Sequence, residues 1–341
     1  MLVKNTYVQM EENMDNLSKK IAPSATVITV AAILTNVIWG TPFKLIKIMN
    51  TEMGISKEAF GEEYLGQVLA TISIRFFIAG LMTLLFAAII GQNILKVNKK
   101  QWSEVAIMGL VSTTAAYFFF NIANVNITST INSTILAQST IFFAVLLAHF
   151  VYKNDKLTST KGIALLIGFA GLIISQLTSG TSIQEMFSFS LTGEGFMLIY
   201  GLLAALATML AKKIGSSLNS FVLTGWNLII GSMFLFMIGY AMGGRIEAIH
   251  WTVLGVVLLI ILAAASAIPF SLWYWCAQYA NLSELSVYKF IMPLSGSLLA
   301  VILGESFTMS LAIGLFLVCI SIILMNKPMK QKKVVAKPLE S

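Results

Sequence analysis

Ten apolar runs follow one another along the chain, at 26–49, 66–90, 103–122, 129–152, 158–177, 193–213, 219–241, 251–278, 284–304 and 308–326. About 20 apolar residues in a helix cross the ~30 Å hydrocarbon core of a bilayer. Polar positions cluster between the runs instead of alternating within them, so the pattern predicts helices and not strands. Connections are short and leave no room for a separate soluble domain. The expected fold is an all-α integral membrane protein with ten transmembrane helices.

Composition strengthens this reading. Of 341 residues, 57% are hydrophobic and 11% charged, against about a quarter charged in a soluble chain. Mean hydropathy is +0.85. The first run follows a polar tail over 1–25; it is too long for a signal-peptide core and lacks a small-residue cleavage site, so it is expected to be retained. Cys276 and Cys319 fall inside apolar runs and are expected to be buried thiols that pack as small hydrophobes. The net charge of +7 does not call for nucleic acid, because the basic residues are spread among loops and tails.

Those basic residues orient the chain. With the N-terminus inside, 16 Lys/Arg fall on inner segments and 4 (Lys44, Lys47, Lys57, Arg245) on outer ones, with Arg75 and Lys289 left within spans. The excess of inner positive charge predicts a plasma-membrane protein with both termini cytoplasmic.

The halves echo one another at a spacing near 150. Trp102 aligns with Trp251, Asp155 with Glu305, Thr158 with Thr308, Ile78 with Ile229 and Gly80 with Gly231. Five spans is an odd number, so the second copy enters the membrane inverted, as in carriers that bind substrate at the repeat interface. No G-x-x-x-x-G-K-[ST] stretch is present to power transport by ATP.

Two stretches carry a family resemblance. "NVIWGTPFKLIK" resembles the W-G-x-x-F-x-x-x-K signature of EamA-type members of the drug/metabolite transporter superfamily, at Trp39, Gly40, Phe43 and Lys47. "YKFIMPLSGSLLAVILGE" is similar to the ninth helix of that family, with Pro293 and Gly304-Glu305. The resemblance implies two inverted five-helix repeats, 26–177 and 193–326, between a cytoplasmic tail (1–25) and a basic tail (327–341). Phe143 stands where the first repeat would carry the matching proline, which predicts a straighter fourth helix.

Every carboxylate lies in a loop, a tail or a helix end. The fold is similar to that of small multidrug carriers, but their buried glutamate is missing, which counts against a proton-coupled exporter of organic cations. The deep charges are Arg75 and Lys289, and intramembrane ionisable groups are functional candidates by default. Two readings of Lys289 stand: a stem snorkelling to the inner interface or pairing with Glu284, or a cavity-facing group that attracts an anion. Asn36, Trp39, Tyr117, Asn121, Gln138, Trp226, Trp273 and Tyr288 complete the candidate substrate-binding set. His149 is expected to be structural, and no metal or cofactor site is expected. The small face Ala164, Gly168, Gly171, Ser175 in the fifth span, with Gly314 and Ser321 in the tenth, reads as scaffold or as a dimer face.

The reading that fits is a secondary transporter, an exporter or exchanger, moving an amino acid or related carboxylate-bearing metabolite as a monomer or homodimer. An enzyme acting on lipid-linked substrates would need acid/base or metal groups at one depth, and a receptor or channel would not need inverted repeats. The charge bias carries its own test. In a background without native cysteines, Ala59→Cys should react with an impermeant thiol reagent added outside, and Asn98→Cys should not; the reverse pattern would invert the topology.

Overall fold

The structure, a computed structural model, describes residues 23–127, 130–176, 189–302, 304 and 306–326. Glu305, both charged tails, and the side chains of Phe43 and Lys44 lie outside that description. Among the described residues the chain is helical, with no strand. Counting a broken span as one element, the helices are α1 (Ala25–Glu52), α2 (Lys57–Ile89), α3 (Lys99–Asn126), α4 (Asn132–Val151) and α5 (Ser159–Gln176). The second half supplies α6 (Leu191–Ile214), α7 (Ser220–Ala241), α8 (Val253–Tyr279), α9 (Leu282–Ile302) and α10 (Met309–Met325). Nine are long and apolar enough to cross a membrane, and α10 is shorter at 17 residues.

Polar side chains start these helices where the apolar runs begin. Ser24 accepts from the Val27 amide and Thr252 from that of Gly255. Asn98 and Gln101 form a reciprocal capping box at the start of α3. Each cap satisfies an amide that has no intrahelical partner.

Packing follows a two-fold exchange of the halves. Helix α2 packs on α7, α5 on α10, α1 on α8 and α9, and α6 on α3 and α4. Swapping α1–α5 for α6–α10 maps α2–α7 and α5–α10 onto themselves and exchanges α1–α8 with α6–α3 and α1–α9 with α6–α4. Lipid tails give apolar helices no reason to leave them, so close backbone approach has to hold the bundle. A Cβ on Gly231 would stand 2.5 Å from the Gly109 carbonyl, and one on Gly80 would stand 2.8 Å from that of Gly225. The small faces of α5 and α10 meet each other: Ser321 Oγ donates to the Ala164 carbonyl at 2.6 Å, and a Cβ on Gly171 would lie 3.0 Å from the Gly314 carbonyl. Those faces act as scaffold within the chain.

Three spans are interrupted at mid-depth. Helix α1 breaks at Thr41, and Pro42 opens its second segment, where the missing N–H costs nothing. Helix α9 begins as a short turn (Leu282–Ser286), tightens into a 3₁₀ turn (Val287–Phe290), then continues as Ile291–Ile302. Helix α4 also breaks, between Thr130–Ala137 and Ser139–Val151. This corrects the expectation of a straighter fourth helix. Gln138 is the turn residue there, bonded through its backbone to Ile135 and Ile141. The break aligns with the Tyr288–Lys289 turn of the other half, so the interruption belongs to the repeat and does not depend on Pro293. Helix α8, by contrast, runs through Pro269 without a break.

Two smaller expectations also change. Cys319 is exposed on the bundle surface, while Cys276 is buried. Trp102 packs on Trp226, with ring centroids 4.9 Å apart, as well as sitting at a helix end.

The glycine seams generate a stability test. Gly231→Val should force α3 and α7 apart and cost about 1–3 kcal/mol, lowering the apparent Tm of the protein in detergent. Gly162→Ala, whose added carbon meets nothing within 4 Å, should leave Tm unchanged or raise it slightly.

Candidate functional site

A cavity of about 860 Å³ lies between the halves. It reaches the loop face that carries Asn50, Asn124, Ser133 and Thr308, the face the charge bias assigns to the outside. Ser112, Thr208, Tyr274 and Lys289 also line it. None of its lining comes from the opposite loop segments 91–98, 152–158, 215–219 or 280–282.

The interrupted helices build the floor of this cavity. The 3₁₀ turn of α9 places Lys289 so that its ammonium lies 3.4 Å from Thr140 Oγ1 and 5.2 Å from the Trp273 ring centroid. Thr140 belongs to α4, at nearly the position that Lys289 holds in the repeat. Trp273 is itself fixed, since its Nε1 donates to Thr208 Oγ1 at 3.1 Å. The Trp39 ring stands against Phe270 at 5.2 Å and Trp273 at 5.7 Å. Tyr117, Phe120, Tyr200 and Tyr274 extend this aromatic wall.

Arg75 projects from α2 and is 7% exposed. Its guanidinium lies 4.8 Å from the Phe76 ring centroid, and Phe76 packs edge-on against Tyr117 at 4.5 Å. Its Nε has no hydrogen-bond partner. The ion pairs among the described residues involve Lys161 alone, so neither Arg75 nor Lys289 has an acid of those residues within 4.0 Å. No aspartate or glutamate lines the cavity among those residues either. Two uncompensated cations at depth are costly, and an anion entering from water would relieve that cost.

Seven of the ten candidates meet here: Trp39, Arg75, Tyr117, Asn121, Gln138, Trp273 and Lys289 all line the cavity. Three do not. Tyr288 points to the other side of its turn, with its hydroxyl 3.2 Å from Thr29 Oγ1 near the N-terminal end of α1. Trp226 donates to the Ile94 carbonyl at 2.9 Å, in the loop after α2. Asn36 is fully buried and returns its amide to the Ala32 carbonyl at 2.8 Å. Residue type and depth alone could not separate these from the cavity set; the helix face each occupies decides it.

Phe120, Phe270, Tyr274, Thr140 and Thr208 line the cavity without having been singled out in the sequence. Part of the signal was present: Phe120 follows Tyr117 by three residues and Tyr274 follows Phe270 by four, the spacing that stacks side chains on one helix face. The threonines gave none, because hydroxyls inside spans commonly bond their own backbone.

Two inverted five-helix halves around a central cavity form a membrane carrier. The chain belongs to the EamA-like transporter family, whose model matches residues 26–177 and 191–327. It is similar to an uncharacterized transporter, YvbV, of Bacillus subtilis, at 28% identity over 77% of this chain and 84% of that one. An uncharacterized transporter of Archaeoglobus fulgidus is 26% identical over 85% of this chain and 95% of its own. A WAT1-related chloroplastic protein of Arabidopsis thaliana is 25% identical over 74% of this chain, a match that spans 61% of the plant protein. A solved crystal structure superposes with a TM-score of 0.70 over 89% of this chain and 97% of its own, at 16% identity, a likeness of fold.

The two cations can be tested separately. Arg75→Ala should reduce uptake of an anionic substrate to background in proteoliposomes, with monodispersity near that of the parent protein. Arg75→Lys should restore only part, because an ammonium lacks the planar fork that grips a carboxylate. Lys289→Gln should weaken carboxylate binding far more than it lowers Tm; the opposite result would make Lys289 a structural residue.

Proposed function

We propose that the chain is a secondary transporter that moves a small carboxylate-bearing metabolite by alternating access, as an exporter or exchanger in the plasma membrane with both termini cytoplasmic. The observation that carries the substrate class is the pair Arg75 and Lys289 in one cavity without an acid partner among the described residues. An organic cation would meet repulsion there and no carboxylate. A carboxylate would receive charge-assisted hydrogen bonds, about twice as strong as neutral ones.

The access mechanism rests on the contrast between the two ends of the bundle. One end holds the cavity. At the other end, the loop after α4 is tied to the start of α9. Asp155 accepts from the Ser283 amide at 2.9 Å, from the Ser283 hydroxyl, and from Lys161 Nζ at 2.7 Å. Lys161 also bonds Ser283 Oγ at 2.6 Å. Lys212 of α6 donates to the Ala277 and Ala280 carbonyls where α8 ends. The Asp155–Lys161–Ser283 contacts join the first half to the second, so rocking to the opposite state has to break them; the Lys212 bonds fasten α6 to α8 within the second half. His149 only shapes the loop, accepting from the Leu157 amide at 3.0 Å.

Burial by itself would raise the Asp155 carboxyl, but hydrogen bonds from Lys161 and Ser283 outweigh it and hold the group below its ordinary range. A depressed carboxyl stabilises the folded, bonded state above its unfolded pKa. That contribution is lost only as pH falls through the depressed value. The tie is therefore expected to be indifferent to pH between roughly 5.5 and 8.

Asp155→Asn leaves buried Lys161 only the partly exposed Glu284, 3.9 Å away, so the loss should stay below the about 3–5 kcal/mol of a buried pair broken on one side. The variant should populate the state opened at this end. Spin labels at Asn154→Cys and Tyr279→Cys, in a chain lacking Cys276 and Cys319, should report a longer distance in the Asn variant. An unchanged distance distribution would show that this cluster does not hold the end closed.

A further inference from the structure

The cavity narrows the substrate beyond carrying a carboxylate. Gln138 is the turn residue of the broken α4. It lines the cavity, is 1% exposed, and neither its amide oxygen nor its amide nitrogen has a hydrogen-bond partner. Buried amides are paired in the large majority of cases, and an exception calls for an explanation. Here the amide oxygen and nitrogen are both unpaired and covered, so the side chain has to turn to meet a ligand, in a wall that also holds two cations without an acid partner among the described residues. A ligand group that accepts and donates at once, such as a hydroxyl or a secondary amide, would satisfy both atoms.

A free amino acid fits this arrangement poorly. Its α-ammonium would enter a chamber with two positive groups and, among the described residues, no carboxylate. Aromatic faces can replace a carboxylate for such a group, but the rings beside the two cations already serve Lys289 and Arg75, and an ammonium against the other rings would still share the chamber with both cations. The remaining wall suits an uncharged ring, since Trp39 and Phe270 meet edge to face at 5.2 Å and offset or edge-on aromatic contacts are favoured.

We infer that the preferred substrate is an aromatic organic acid whose α-position bears a neutral hydrogen-bonding group, a hydroxyl or an acylated nitrogen, in place of a free ammonium. Arg75 and Lys289 attract its carboxylate, Gln138 answers the α-substituent, and the Trp39–Phe270 wall takes the ring. The inference rests on the carboxylate reading proposed above and refines it.

Calorimetric titration of the purified full chain in detergent tests it with a matched series: 3-phenyllactate, N-acetylphenylalanine, 3-phenylpropionate, phenylalanine and phenethylamine. Phenyllactate and N-acetylphenylalanine should each bind at least tenfold more tightly than phenylalanine, about 1.4 kcal/mol, and phenethylamine should give no heat. A preference of less than tenfold, or a reversed order, would overturn the inference while leaving the carboxylate reading in place. If no anion binds, or if phenethylamine matches the acids, both fall together.

Gln138→Leu separates the role of the amide. In the variant, phenyllactate and phenylpropionate should bind equally, because only the former has an α-hydroxyl; retained phenylpropionate binding reports a folded site. A variant that keeps the parent's preference for the hydroxy acid would remove Gln138 from the site. Where the leucine variant does not fold, Gln138→Glu should bring phenylalanine to within tenfold of phenyllactate by supplying the missing ammonium partner. An unchanged order there would count equally against the assignment.

Discussion

A cation held away from water needs an anion, and in a membrane the cost of leaving it alone is several kcal/mol. Arg75 and Lys289 are held in this condition by two different helices of opposite halves. Most of what surrounds them follows from that constraint. The turn in α9 aims Lys289 into the cavity, aromatic rings give both cations partial compensation, and the interhelical space is left open where they project. A bundle selected for stability alone would fill such a space with side chains, since each void forfeits packing energy.

The rest of the bundle supports this interior by close backbone contact. The α2–α7 and α5–α10 pairs are sewn together through glycine and serine, and α1, α3, α4, α6, α8 and α9 surround the cavity with the face of α2 that carries Arg75. This division matches the inverted repeat: the first pair and the second pair each map onto themselves when the halves are exchanged. Symmetry of this kind makes two end states nearly equivalent in packing, so a few polar ties can decide which end is shut. The Asp155–Lys161–Ser283 cluster sits at one end, in a loop whose acid, Asp155, replaces the Gly-Glu pair of the second copy.

In the α4/α9 pair the interruption is a property of the repeat position and not of proline, whereas α1 breaks at Pro42 and its counterpart α6 runs unbroken over Phe196–Ile214. Helix α4 breaks at Gln138 without one, α9 at its aligned turn just before one, and α8 carries Pro269 unbroken. A freed backbone group is tolerated at depth only where protein or a cavity surrounds it. Both broken turns lie at the cavity, and that location is what makes them possible.

Sequence by itself determined the class, the spans, the repeat and the family, because each of these depends on patterns that the bilayer imposes on every residue in turn. Twenty apolar residues, a bias of lysines to one side and an offset near 150 are one-dimensional quantities. It also determined which charges lie deep, and Arg75 and Lys289 both reached the cavity. Tertiary structure decided which uncharged polar and aromatic residues join them. Asn36 and Trp39 are three residues apart in α1, yet one is sealed against Ala32 and the other forms the wall; Tyr288 and Lys289 are neighbours that face opposite ways. A rotation of about 100° per residue separates lining from packing, and only the angle at which each helix meets its neighbours sets where that rotation begins.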